Sequence, residues 1–167
     1  GSASCDNAHW QDRRVKPKVI AEVKQVLYHW WNATQPDEHA DHFGVTAQVL
    51  IGPAEGGEAD SFDGILCSPS MLAEKFSVEQ WGSGFAENVL PSGAVLPVHG
   101  VWLMRAWSPA AFESAVERLV VACSPGPDWG TVADRIGRLL PWEYDYRHDD
   151  RMNQRAGLPK LQRSFWH

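Results

Sequence analysis

A chain of 167 residues with 44% hydrophobic and 22% charged residues has the make-up of one folded domain with a real core. Its net charge of −6 and isoelectric point near 5.6 speak against nucleic acid as a direct ligand, and no apolar run reaches the length needed to cross a membrane. Cys5, Cys67 and Cys123 are too widely spaced for a disulfide framework or a zinc site, so they read as reduced thiols of a cytoplasmic protein.

Residues 1–17 are polar and aperiodic, which suggests a loose arm, with Gly1-Ser2 a cloning remnant; the domain is expected over 18–147. "KVIAEVKQVLY" (18–28) alternates, with Val19, Ala21, Val23 and Leu27 on one face, and reads as a half-buried strand. Ile20 and Val26 break that pattern and leave a helix open. A polar connection over 30–42 leads to "FGVTAQVLI" (43–51), the clearest strand, which Gly52-Pro53 ends. "SFDGILC" (61–67) reads as its return strand, making a hairpin with a long Gly- and acid-rich loop. "SPSMLAEKF" (68–76) predicts a short helix started by Ser68 or Ser70. Residues 77–97, rich in Gly and Pro, predict an irregular insertion, and "VHGVWLMRAW" (98–107) a further strand.

Ser108-Pro109 supplies an N-cap and a first-turn proline, and Phe112, Val116, Leu119, Val120 and Cys123 then form one apolar helical stripe. Asp128 caps a second helix with Trp129, Val132, Ala133, Ile136, Leu139 and Leu140 inward and Asp134 and Arg138 spaced to pair, until Pro141 ends it. "WEYDYR" (142–147) alternates as an edge strand, and 148–167 is a basic tail. The fold class expected is α+β: a single domain, mainly an antiparallel sheet, with two or three helices packed on one face. Most of the nine Trp belong in such a core, with several half-buried or at a binding surface.

Charge is distributed unevenly. From Gln25 to Glu74 there is no Lys or Arg, while the same span holds eight acids, among them Glu55, Glu58, Asp60 and Asp63 in the hairpin loop. Such a surface repels itself, and a basic partner is one reason to keep it; a plain solubilising surface is the other. The loop acids do not follow a calcium-loop register. "DEHADH" (37–42) sets His39 and His42 among acids, but its spacing matches no ligand motif and a solvated loop is the expectation, with no metal and no cofactor. Cys67 and Cys123 occupy apolar positions that suit small buried hydrophobes better than nucleophiles. A small hydrolase using Cys67 or a His/acid pair is the alternative to a binding protein.

The succession "VTAQVLIGPAEGGEADSFDGILCSPSMLAEKF" (45–76) resembles the immunity protein 8 family of bacterial toxin-immunity systems, and "WSPAAFESAVERLVVACSPGPDWGTVADRIGRLLPWEYDY" (107–146) matches its second half, including a closing Trp-Glu-aromatic-acid-Tyr. Together these cover about 70 residues; the arm, the 77–99 insertion and the basic tail lie outside. The resemblance implies a non-enzymatic inhibitor that binds a cognate toxin domain, with neither nucleic acid nor membrane as partner. Many such toxins are nucleases with basic clefts, which carboxylates suit. The expected partner-binding residues are Glu55, Glu58, Asp60 and Asp63 in the loop, and Trp142, Glu143, Tyr144 and Asp145 on the closing segment, where aromatic anchors stand beside acids.

Overall fold

A computed structural model describes residues 18–32, 34–77 and 99–144. The expected arm, nearly all of the insertion and the basic tail fall outside them.

Four strands form one sheet in the order β1 (Ala21–Trp30), β2 (Gly44–Pro53), β3 (Asp60–Cys67) and β4 (Val101–Leu103). The first three pair antiparallel, and β4 lies parallel to β3 after a crossover through helix α1 (Pro69–Ser77). Helices α2 (Pro109–Cys123) and α3 (Trp129–Gly137) follow. The α+β class is as expected.

The period-2 alternation of β2 places Val45, Ala47, Val49 and Ile51 on one face, each fully buried. Phe62 and Leu66 of β3 join them beneath the stripe Phe112, Val116, Val120 and Cys123 of α2 and beneath Val132, Ala133 and Ile136 of α3. Burial of such side chains contributes roughly 1.5–3 kcal/mol each. The alternate residues of β3, Ile65 and Cys67, form a second cluster with Met71 and Leu72 of α1, together with Trp31 and Val101. Trp107 anchors the aromatic corner of the main core, 1% exposed, with Tyr28, Phe43 and Trp30 at centroid distances of 5.3, 5.5 and 5.7 Å.

The first strand departs from its sequence pattern. The register with β2 slips by one residue between Val23 and Gln25, a bulge that inverts the alternation. Val26, Tyr28 and Trp30 therefore pack on the main core, and Leu27, expected beside Val23, points to the other face. The bulge also explains why Val26 broke the pattern without a helix being present. Beyond the strand, Val19 exchanges two backbone hydrogen bonds with Gly126, at 2.8 and 2.9 Å, which covers the start of what is, among the described residues, an edge of the sheet.

The outer edge of β3 is shared by two short segments. Ile65 donates to the Gly100 carbonyl, and β4 continues from there; Asp63 donates to the Pro141 carbonyl. Gly100 has φ +77° and its Cα faces the Pro141 ring, so no side chain fits at the join. The strand predicted over 98–107 is thus only Val101–Leu103: Met104 still donates to Cys67, but the chain then bends so that Trp107 can exchange a hydrogen bond with Ala40. Of the edge strand predicted over 142–147, the described part is a bridge from Trp142 to Phe62 followed by a turn at 143–144, and 145–147 lie outside the described residues.

Ser68, not Ser70, caps α1. Its fully buried hydroxyl accepts from the Met71 and Phe43 amides at 3.2 Å each. Ser108 and Asp128 cap α2 and α3 as expected, accepting from Ala111 and Thr131. Helix α3 stops at Gly137, short of Pro141, and this turns Leu139 outward to 57% exposure while Leu140 drops back into the core. The Leu139 carbonyl receives the Trp102 indole at 2.8 Å. Asp134 and Arg138 are not among the ion pairs of the described residues; Arg135 instead donates to the Cys123 and Pro125 carbonyls.

Candidate partner-binding surface

The loop joining β2 to β3 forms a tip, with Glu55, Gly56, Gly57 and Glu58 all exposed. Its course is fixed from below. A Cβ at Gly52 would collide with the Glu58 carbonyl, so the loop folds back onto the strand only because that residue is glycine. Gly56 takes the left-handed φ of +107°, and Lys24 of the β1 bulge donates to its carbonyl at 3.3 Å while pairing with Glu22 at 3.0 Å. The long cation-free stretch of sequence thus meets a cation in space, from the neighbouring strand.

Asp60 opens β3 at the base of the tip. Its Oδ2 accepts the indole N–H of Trp129 at 2.7 Å and of Trp142 at 2.9 Å. Both rings bear on buried Phe62: Trp142 is stacked at 6.4 Å and 15°, and Trp129 is edge-on at 6.3 Å. Trp142 in turn meets Tyr144 edge-on at 5.4 Å. Trp129 is placed by the cap of α3, where the Thr131 backbone and side chain hold the Asp128 carboxyl below its ordinary value. Next in the strand, the Ser61 amide donates to Glu143 Oε1 at 2.8 Å. The Ser61 hydroxyl receives Gln48 and reaches Asp63 Oδ1 at 3.3 Å.

The two patches that the sequence offered separately, the loop acids and the closing Trp-Glu-Tyr segment, are therefore one place. Within it the roles divide. Glu55, Glu58 and Asp63 are exposed, whereas the Asp60 and Glu143 carboxylates act internally, holding the closing segment against the hairpin. Asp145 lies outside the described residues. Trp129 and Ser61 were missed by sequence reasoning; a Trp directly after a helix cap is ordinarily a core residue, and nothing local ties it to an acid 69 positions earlier.

The remaining acids of the cation-free stretch lie elsewhere. Asp37, Glu38, Asp41 and Glu74 cluster at the opposite end of β2. Ten residues at ~3.3 Å each separate the two groups by about 30 Å. There is no single acidic face but two acidic poles.

At the far pole His42 bridges Glu74 through Nε2 at 2.7 Å and Ser70 Oγ through Nδ1 at 2.8 Å, and His39 lies 3.7 Å from Glu38. Among the described residues no group of three or more His, Cys, Asp or Glu is arranged to hold a metal ion. Cys67 is fully buried, and burial pushes its thiol up to about 11. Burial likewise raises Cys123, against the opposing pull of Arg135 and Arg138. Both thiols are protonated near neutral pH and out of reach, the reverse of what a nucleophile needs. No described helix is long and apolar enough to cross a membrane.

The fold is a small α+β domain with exposed carboxylates on a braced hairpin tip. A sequence profile of the immunity protein 8 family matches residues 21–146, and the chain belongs to that family. It is accordingly an immunity protein of a toxin-immunity system, and its family implies a cognate toxin protein as partner. No match was found among curated proteins or among solved structures.

Proposed function

We propose that this immunity protein neutralises its toxin in the cytoplasm by laying the hairpin tip and the adjoining Trp142–Tyr144 segment over a basic surface of the toxin domain, covering it sterically and electrostatically. The observation that carries the reading is the tip itself. Glu55 and Glu58 stand exposed and unpaired among the described residues, on a loop held from beneath by Gly52, Lys24 and the Asp60 clamp. A braced loop loses little entropy on docking, and unpaired carboxylates lose no internal partner. Asp63 adds field at the rim, Trp142 and Tyr144 supply aromatic area, and Asp60 and Glu143 position the others. A toxin that grips phosphates, such as a nuclease, offers the complementary surface; nucleic acid and membrane are not direct ligands in this reading.

Hydrogen exchange on the complex with the cognate toxin tests it. Protection concentrated in 54–63 and 141–144 supports the proposal, and protection confined to the 37–42 pole or the outer side of α2 removes it.

The rival reading, a small hydrolase, retains one observation: the Ser70–His42–Glu74 chain joins hydroxyl, imidazole and carboxylate. Both ends of its ion pair are at least half exposed, so water screens the charges that a catalytic triad isolates.

A further inference from the structure

A cleft of about 400 Å³ opens at the far pole, between the β1–β2 connection and α1. Its lining is mixed: Ala40, the buried Phe43, Gly44 and Met71 are apolar, Asn32, Thr34 and Gln35 are polar, and one carboxylate comes from each side, Asp37 from the connection and Glu74 from the helix. Lys75, which also lines the cleft, has its ammonium 5.6 Å from the Trp31 ring centroid. The walls are fixed. His39 donates to the Trp107 carbonyl at 3.0 Å, Trp107 donates back to Ala40 at 2.8 Å, and Ala40 donates to Asp37 at 2.9 Å. That course forces His39 to φ +65°, a left-handed conformation unfavourable for a residue with a side chain. On the other wall His42 holds the Glu74 carboxylate, and Ser68 pins the start of α1 to Phe43.

We propose that this cleft is a docking site for an arginine side chain of a protein partner. The buried apolar members of the lining suit the three-methylene stem of arginine, and carboxylates from both sides, with the polar Asn32, Thr34 and Gln35, suit a guanidinium whose five donors spread in a plane. The volume lies within the range of formed side-chain and ligand pockets. The site stands about 30 Å from the hairpin tip, and the inference does not depend on the tip being the toxin surface.

The test uses the whole protein, ¹⁵N-labelled, titrated with N-acetyl-arginine amide, and in parallel with the citrulline and lysine analogues. Saturable shifts at the Ala40, Gly44, Met71 and Glu74 amides with arginine, about fivefold weaker in Asp37→Asn and absent with citrulline, are expected. Citrulline has nearly the same shape without the charge, so this comparison stands even if a variant misfolds. Equal shifts with citrulline, no shifts at the cleft, or shifts confined to 54–58 overturn the site. Lysine binding as tightly as arginine overturns its assignment to a guanidinium.

Discussion

Ser61 and Glu143 are joined twice: the Ser61 amide donates to the Glu143 carboxylate at 2.8 Å, and the Glu143 amide returns to the Ser61 carbonyl at 2.9 Å. This reciprocal pair, 82 residues apart in sequence, closes the part of the β3 edge that β4 does not reach. It also sets the closing segment beside the acidic tip, so the aromatic residues and the outward carboxylates are presented together.

Asp60→Ala removes the acceptor of two indole N–H groups and should cost about 2–3 kcal/mol in chemical denaturation followed by tryptophan fluorescence. Asp60→Asn keeps an acceptor oxygen at that position and should lose less than half as much. Equal losses in the two variants would mean that the indoles do not depend on the carboxylate position.

Reversing Glu55 and Glu58 together to Lys should leave the melting temperature within a degree or two, because neither side chain has a partner among the described residues. Toxin association, measured by stopped flow at low salt, should slow by about tenfold and lose most of its ionic-strength dependence. Association kinetics identical to the parent would place the tip outside the interface.

Gly52→Ala drives a methyl group into the Glu58 carbonyl and should destabilise the domain by roughly 1–3 kcal/mol. Gly57→Ala, with no atom within 4 Å of the added carbon, should be near neutral. The contrast separates the glycine that shapes the tip from the one that merely lies on it.

Burial raises the Cys67 thiol from an ordinary 9.0 to about 11. Below pH 9 the thiol is neutral in both states. Between those values the unfolded thiol ionises and the folded one does not, so rising pH favours unfolding. Stability from urea titrations should therefore fall across pH 9 to 11, and Cys67→Ala should show a shallower fall. A thiol reagent at pH 8 should react with neither Cys67 nor Cys123 until denaturant is added.

Much of this architecture was written locally. Strand β2 alternates without interruption, and α2 announces itself with Ser108, Pro109 and a clean apolar stripe, so both were legible. The phase of β1 was not, because a bulge is a property of pairing: nothing around Lys24 signals that its neighbours on β2 will oppose it one residue out of step. Leu139 is not buried as expected because α3 stops at Gly137 and the turn beyond it offers the Arg138 and Leu139 carbonyls to His99 and Trp102. At the candidate site the acids were visible as charge. Their division into internal clamps and outward groups was not, since it turns on Trp129, Trp142 and Ser61 arriving from three separated stretches.

Strand β2 is the molecule's ruler. With the tip at one end and the cleft at the other, occupying one leaves the other about 30 Å away and open to a second hand. A label or solid support tethered beside His39 would leave the tip unobstructed, and a protein gripped at both ends would serve as a bridge rather than a plug.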